Sequence, residues 1–228
     1  MDKSSFLRRF TPRFEMPYTL SPSTLNLFRE CPRCFWRQFN DKVKRPSGIF
    51  PSLPSGMDRV LKVHFDSFMK KKGLPPELHT LNHMELFDDE EQLSIWRNYR
   101  KGIRWTDPEG NTICGAIDNL LTHKGKLVIL DYKTRGYPLK EDTHEHYQDQ
   151  LNVYTFLFKE NGYDTENYAY LLFYHPNKVL PTGEILFHNE LKKMDVSVKD
   201  AKKLITEAIY LLENECPEEK CQWCNWLR

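Results

Sequence analysis

No apolar run in this 228-residue chain approaches the ~20 residues that a membrane span requires, and the opening MDKSSFLRRFTPRF lacks the apolar core of a secretory signal. A soluble cytoplasmic protein with no membrane partner is the expectation. A G-x-x-x-x-G-K-[ST] loop is also missing, so the sequence encodes no ATP-driven motor of its own. Internal repeats and low-complexity tracts are absent, which excludes a solenoid or a linker-rich scaffold. Charge of one sign is lacking as well: 33 Lys+Arg stand against 32 Asp+Glu, for a net +1, so there is no global field of the kind a nucleic-acid coat presents.

What is there is globular: 39% hydrophobic and 13% aromatic residues suffice for a packed core, at a length that fits one domain. Residues 1–20 read as an extended lead-in and 21–228 as a single domain with its core at about 100–190. The balanced total hides a local bias. Residues 1–50 carry ten basic side chains against four acidic ones, and among them Arg29, Arg33, Arg37, Lys42, Lys44 and Arg45 are expected to contact a phosphate backbone. Phe35, Trp36, Trp223 and Trp226 lie among those charges and the cysteines. They are read as packing there, with base stacking the alternative.

Along the chain, Ser21 caps a helix that begins at Pro22 and runs toward Cys31. Arg45 to Gly56 is rich in proline, serine and glycine and reads as a loop, after which Met57, Val60, Leu61, Phe65 and Phe68 recur at helical spacing. Residues 77–101 read as acidic loop plus helix. Two strands, 102–106 and 112–121, form a hairpin around Asp107-Pro108-Glu109-Gly110-Asn111, and a third spans 126–133. A helix at 143–160, strands at 168–174 and 183–188, and an amphipathic helix at 197–213 complete a mixed α/β domain.

The sharpest signal is Gly115-Ala-Ile-Asp118 on one strand followed by Asp131-Tyr-Lys133 on the next. Strand side chains alternate, so Asp131 and Lys133 share a face, and Asp118 joins them if the meander pairs as expected. Two carboxylates supply oxygen ligands to Mg²⁺ or Mn²⁺, and an ammonium beside them orients a nucleophile or faces a phosphate, which is the chemistry of phosphodiester hydrolysis. An isolated D-x-K is more often an ion pair at a strand end. Here it follows Leu127-Val-Ile-Leu130, the signature of a buried central strand, where charges need partners or a metal. Gln150 and Tyr154, four apart on the following helix, present one face to the same region.

Cys31-Pro-Arg-Cys34 and Cys221-Gln-Trp-Cys224 are chelating pairs at opposite ends of the chain. In a reducing compartment they read as a metal site, for Zn²⁺ or an iron–sulfur cluster, that clasps the termini together. Two ligand sets are open: both C-x-x-C pairs, favoured on symmetry, or one early cysteine with Cys216, Cys221 and Cys224. Cys114 reads as a small buried hydrophobe.

The strand with Gly-x-x-Asp, the strand with Asp-x-Lys and the helix with Gln-x-x-x-Tyr resemble, in order and spacing, the PD-(D/E)XK nuclease superfamily. The opening Ser21-Pro-Ser-Thr-Leu-Asn-Leu-Phe-Arg-Glu-Cys31-Pro resembles its RecB-like branch, which includes Cas4 exonucleases and the AddB and Dna2 nuclease domains. The resemblance runs from about residue 19 to the end. It implies a restriction-endonuclease-like core with a mixed central sheet flanked by helices, and a Mg²⁺- or Mn²⁺-dependent deoxyribonuclease. The mode it implies is exonuclease-like, on single-stranded DNA or duplex ends, in repair, recombination or phage DNA processing, with a helicase or recombination partner. It further implies metal ligation by Asp118, Asp131 and the Tyr132 carbonyl, a catalytic Lys133 completed by Gln150 and Tyr154, and a histidine ligand from the preceding helix, for which His64 is the match and Asp58 a competitor. His144 and His146, flanking the Gln helix, are read as solvated or as phosphate contacts. At the cysteines the resemblance implies a [4Fe–4S] cluster, with Zn²⁺ the alternative. The competing reading is a non-catalytic DNA- or protein-binding module on the same fold.

Overall fold

The structure is a computed structural model that describes residues 17–46 and 48–224. Most of the expected lead-in and Trp226 lie outside these residues. At its end, Tyr18 hydrogen-bonds through its backbone N–H to Asn111 Oδ1 (2.9 Å) and through its hydroxyl to the Leu212 carbonyl (3.2 Å). These bonds anchor a two-residue strand β1 (Thr19–Leu20) that the sequence reading missed.

Helix α1 (Pro22–Glu30) starts at Ser21, whose side chain and backbone exchange hydrogen bonds with Thr24 in a reciprocal cap. The chain turns at Cys31, which caps a separate helix α2 (Pro32–Phe39) through its sulfur. Helix α3 spans Ser52–Met69, so the last residues of the expected loop are helical. Pro54 is tolerated because it falls in the first turn, where the backbone N–H has no intrahelical acceptor to lose. Residues 76–81 form a 3₁₀ turn, followed by the short strand β2 (Glu85–Leu86) and α4 (Glu90–Arg97), capped by Asp89.

The expected hairpin forms between β3 (Ile103–Thr106) and β4 (Thr112–Gly115). The second expected strand does not continue to Leu121, however; it breaks at 116–118 and restarts as β5 (Asn119–His123), in a different sheet. The reason is visible at the break. The Ala116 carbonyl accepts from the Tyr154 hydroxyl (2.7 Å) and the Asp118 carbonyl from Arg97 Nε (2.7 Å), so side chains take the acceptors that a ladder would have used. β1 joins β4 and β3 in a three-stranded sheet, with β1 parallel to β4.

The five-stranded sheet has the order β2-β5-β6-β7-β8, with β6 (Lys126–Thr134), β7 (Tyr168–Val179) and β8 (Ile185–Asp195). Only β6 and β7 pair in parallel, and α5 (Gln148–Glu160), preceded by a 3₁₀ turn at 143–147, supplies the crossover. Leu127 to Tyr132 are all buried, as a strand covered on both faces requires. Helix α5 is buried from Leu151 to Phe158 because it packs between the two sheets and against α1 and α6 (Val198–Glu213), the last capped by Ser197. One apolar cluster runs from Tyr18 to Leu212 through all of these elements. Among the described residues no helix is long and apolar enough to cross a membrane.

Candidate functional site

The pleat of β6 sends Tyr132 toward α3, where its ring meets Phe65 at 4.8 Å, and sends Asp131 and Lys133 to the opposite face, toward α5. Lys133 Nζ forms an ion pair with Asp131 Oδ2 and donates to Gln150 Oε1 (2.9 Å). The Gln150 amide nitrogen donates to Asp131 Oδ1 (3.2 Å) and to the Tyr154 hydroxyl (3.0 Å). Tyr154 then reaches the Ala116 carbonyl at the strand break. Gln150 is thus the hub that ties lysine, carboxylate and tyrosine together. Lys133 also lies 4.5 Å from the centre of the Tyr147 ring.

Asp118, just ahead of β5, accepts the Tyr132 backbone N–H at Oδ2 (2.9 Å), which fixes it against the Asp131 strand. Its other oxygen lies 3.2 Å from Lys62 Nζ, and Lys62 is held in turn by Asp58 (2.8 Å). Asp58 and Lys62 are four apart on α3 and reach the site from the side opposite α5. Lys62 was not anticipated; the i,i+4 Asp–Lys pair was the available signal, but a solvated helix face gives the same pattern. The structure therefore brings Asp118, Asp131, Lys133, Gln150 and Tyr154 into one connected cluster.

His64 is placed elsewhere. Two residues past Lys62 it is turned by about 200° around the helix; its Nε2 lies 3.2 Å from Glu77, and its ring packs on Phe68. The hydroxyl of Tyr132, whose carbonyl is the expected ligand, accepts from Asn119 Nδ2 (2.7 Å).

The electrostatics follow from burial. Burial and the neighbouring Asp131 charge push the Asp118 carboxyl up to about 7, against the pull of Lys62 and Lys133. Burial raises Asp131 too, against the pull of Lys133. Burial alone would lower Lys133, but Asp131 and then Asp118 outweigh it, so the ammonium is firmly held. Two carboxylates side by side, Asp131 buried and Asp118 part-exposed, offer hard oxygen donors that fit a divalent cation.

Beside the cluster lies a cleft of about 1160 Å³ between α1, the start of α5 and β4. Gln150 and Tyr154 form its inner wall; Asn26, Arg29, Lys101 and His146 are among the polar residues along it. Its size and its contact with the Gln150 hub suit an extended polar substrate.

Of the expected backbone contacts, Arg29 bridges to Asp149 across the cleft (2.9 Å), Arg37 pairs with Asp41 (3.2 Å), and Lys42 donates to the Phe39 carbonyl (2.7 Å). Lys44 is exposed. Arg33 donates to the Pro217 carbonyl (2.6 Å), and Arg45 pairs with Glu30 (2.6 Å) and reaches Cys221 Sγ (3.7 Å), so these two brace the chain end. Phe35 is buried between Phe28 and Phe39, and Trp36 donates to the Asn214 carbonyl (2.8 Å).

The cysteines of both C-x-x-C pairs converge. Cys31, Cys34, Cys221 and Cys224 have sulfurs all within 4.8 Å of one another; Cys34–Cys224 is 3.1 Å, Cys34–Cys221 3.6 Å, and Cys31–Cys224 and Cys221–Cys224 are 3.7 Å. Burial pushes the Cys34 thiol up to about 12. Burial also works against Cys221, but hydrogen bonds from the Cys224 backbone and the neighbouring thiols outweigh it and bring it down to about 6. Four sulfurs brought together at these separations are a chelating set for a metal that thiolates bind. Cys216 is outside the group, directed at the Pro217 carbonyl (3.7 Å). Cys114 is half-buried, its sulfur near the Leu20 carbonyl (3.4 Å).

A mixed sheet with its lone parallel pair bridged by α5, and Asp, Asp-x-Lys and Gln on adjoining elements, define the class of metal-dependent nuclease cores. The family model of the PD-(D/E)XK nuclease superfamily matches residues 52–228, and the chain belongs to that superfamily. No curated protein sequence matches the chain. Among solved structures it is similar to the crystal structure of SSO0001, at 13% identity and a TM-score of 0.44, over 93% of this chain and 86% of that one.

Proposed function

We propose that the protein is a Mg²⁺- or Mn²⁺-dependent deoxyribonuclease, acting on single-stranded DNA or duplex ends in an exonuclease-like mode. The observation that carries this reading is the closed circuit Asp131–Lys133–Gln150–Tyr154 with Asp118 fixed to the next backbone N–H. A structural ion pair needs no such second carboxylate. Asp118 and Asp131 would hold the cation, which when bound polarises a water and offsets charge on the phosphate. Lys133, kept charged by Asp131, presents an ammonium where a scissile phosphate or its attacking water would lie. Gln150 holds that ammonium in place and keeps Asp131 from rotating. Tyr154 locks Gln150 to the strand break, so the two strands and α5 keep one geometry. Asp58 and Lys62 are the α3 groups adjoining Asp118.

The cleft along α1 would take the strand backbone, with Lys101 and Arg29 as its positive groups. Arg29 would exchange Asp149 for phosphate. A role in repair, recombination or phage DNA processing, with a helicase as partner, is compatible with this chemistry, as is a cytoplasmic location.

The four-sulfur clasp is proposed to hold Zn²⁺. A tetrahedron with Zn–S of ~2.3 Å has edges of about 3.8 Å, close to most of the sulfur separations here. A [4Fe–4S] cluster places an Fe–S core between its thiolates and would require the sulfurs to move apart.

The test is digestion of end-labelled single- and double-stranded DNA in Mg²⁺ or Mn²⁺ by wild type, Asp131→Asn and Lys133→Ala. Cleavage by wild type with a loss of at least about a hundredfold in both variants is expected. Equal activity in all three, or none with either metal while DNA is still bound, overturns the enzyme reading in favour of a binding module.

A further inference from the structure

A second group of ligating side chains lies on the β7–β8 hairpin, apart from the carboxylates and the thiols. His175 and His188 are cross-strand partners, and Glu190 is paired with Phe173, two residues along on the same face. One ligand atom from each lies within 4.8 Å of the others, and the two imidazole rings are 5.3 Å apart. His188 is exposed and Glu190 half-buried, whereas His175 is only 6% exposed.

His175 is the informative residue. Its Nδ1 lies 3.3 Å from the Pro176 carbonyl, which can only accept, so the ring proton belongs on Nδ1 and Nε2 carries a lone pair. That buried Nε2 has no hydrogen-bond partner. The nearest acidic atom, Glu190 Oε1, is 3.6 Å away, and the other Glu190 oxygen is 3.4 Å from Lys192. This nitrogen thus faces a carboxylate oxygen just beyond hydrogen-bond length. The gap suits a metal: with Zn–N and Zn–O near 2.1 Å, a tetrahedral N···O edge is about 3.4 Å.

We propose that His175, His188 and Glu190 form a binding site for a single Zn²⁺-like transition ion. Imidazoles and a carboxylate select a borderline metal over Mg²⁺. Three protein ligands leave a fourth position, open to solvent beside His188. The ion would sit where the hairpin leaves the core: His175 is buried, whereas residues 176–179 and 185–186 are exposed, and the strand register shifts between Pro176 and Lys178. Its structural effect is to staple the two strands at that junction.

The test is Zn²⁺ titration calorimetry on the full chain in excess Mg²⁺, read as total Zn²⁺ equivalents against wild type, with hydrogen exchange of hairpin amides as a second readout. His188→Ala removes an exposed ligand, so folding is not at stake, and it should lose one equivalent or bind it at least about tenfold more weakly. His175→Gln should do the same, and Zn²⁺ should slow exchange across residues 174–190 in wild type only. Equal stoichiometry and affinity in wild type and His188→Ala, or no hairpin protection by Zn²⁺, overturns the site. The thiol site is intact in both variants and cannot account for a difference.

Discussion

At the scale of single residues, the carboxylate pair has a consequence that can be measured without substrate. Asp118 is raised from 3.8 to about 7 by burial and by Asp131. A carboxyl with a higher pKa when folded binds more protons folded than unfolded between those two values, so folding loses stability as pH rises through that window. In metal-free protein the melting temperature should therefore fall between about pH 4 and pH 7 on account of this group, and Asp118→Asn should flatten the fall. Mg²⁺ should raise the melting temperature more at pH 7.5 than at pH 5, because it competes with the proton for the same oxygens. Differential scanning fluorimetry across pH, with and without Mg²⁺, decides it; an equal Mg²⁺ effect at both pH values would refute the assignment. Much of this site was legible beforehand. Asp131 and Lys133 are two apart on a strand, and alternation alone forces them onto one face. Asp58 is read only as the lesser alternative to His64, and Lys62 was not legible at all, because their meeting with Asp118 depends on how α3 lies on the sheet, and no spacing encodes that.

Among the elements, the β4–β5 break shows what periodicity cannot report. Residues 112–121 read as one strand because the apolar pattern continues, yet the chain changes sheets at 116–118. The cause lies in partners distant in sequence, Tyr154 and Arg97, that capture the carbonyls at 116 and 118. Gly115 belongs to the same device: a Cβ there would meet the Tyr154 ring at 2.8 Å, so the glycine lets the tyrosine lie against the strand. Gly102 is still more constrained. It has φ +54°, and a Cβ would lie 2.2 Å from the Gly115 carbonyl oxygen, which is backbone and cannot swing aside. Gly125, at φ +80° with open space around it, pays only the backbone cost. Gly102→Ala should accordingly destabilise the fold by at least about 2 kcal/mol, and Gly125→Ala by roughly 1 kcal/mol. Urea titrations of both variants would show it, and comparable midpoints for the two would mean that the β3–β4 junction yields more easily than its geometry implies. The same long-range dependence explains the helices: α5 and α6 were readable from their apolar stripes, whereas the start of α3 at Ser52 was hidden by prolines that a first turn accepts.

For the molecule as a whole, the sulfur clasp ties distant parts of the chain together, joining the α1–α2 corner at Cys31 to Cys224, 193 residues away. Closing so long a loop removes much conformational freedom from the unfolded chain, so the bound ion should contribute several kcal/mol to stability. Its effect on the cleft is more specific. Helix α1 forms one wall through Asn26 and Arg29, and α1 is held at its far end by Cys31 and by Arg45 pairing with Glu30. The carboxylate–lysine cluster rests instead on β6 and α5, which are buried within the sheet layers. Cys34→Ser should therefore release the clasp metal and lower the melting temperature by about 5 °C or more. It should raise KM for DNA more than it lowers kcat, because the wall moves while Lys133 and Gln150 remain in place. Cys216→Ser should leave metal content, melting temperature and kinetics unchanged, since Cys216 points away from the four sulfurs. Plasma emission analysis of the purified chains should find one equivalent of zinc fewer in Cys34→Ser than in wild type, and no loss in Cys216→Ser. Iron, with a visible absorption band, would instead mean that the four sulfurs spread to admit a cluster. Loss of metal from Cys216→Ser would give the fourth ligand to a residue that now points elsewhere.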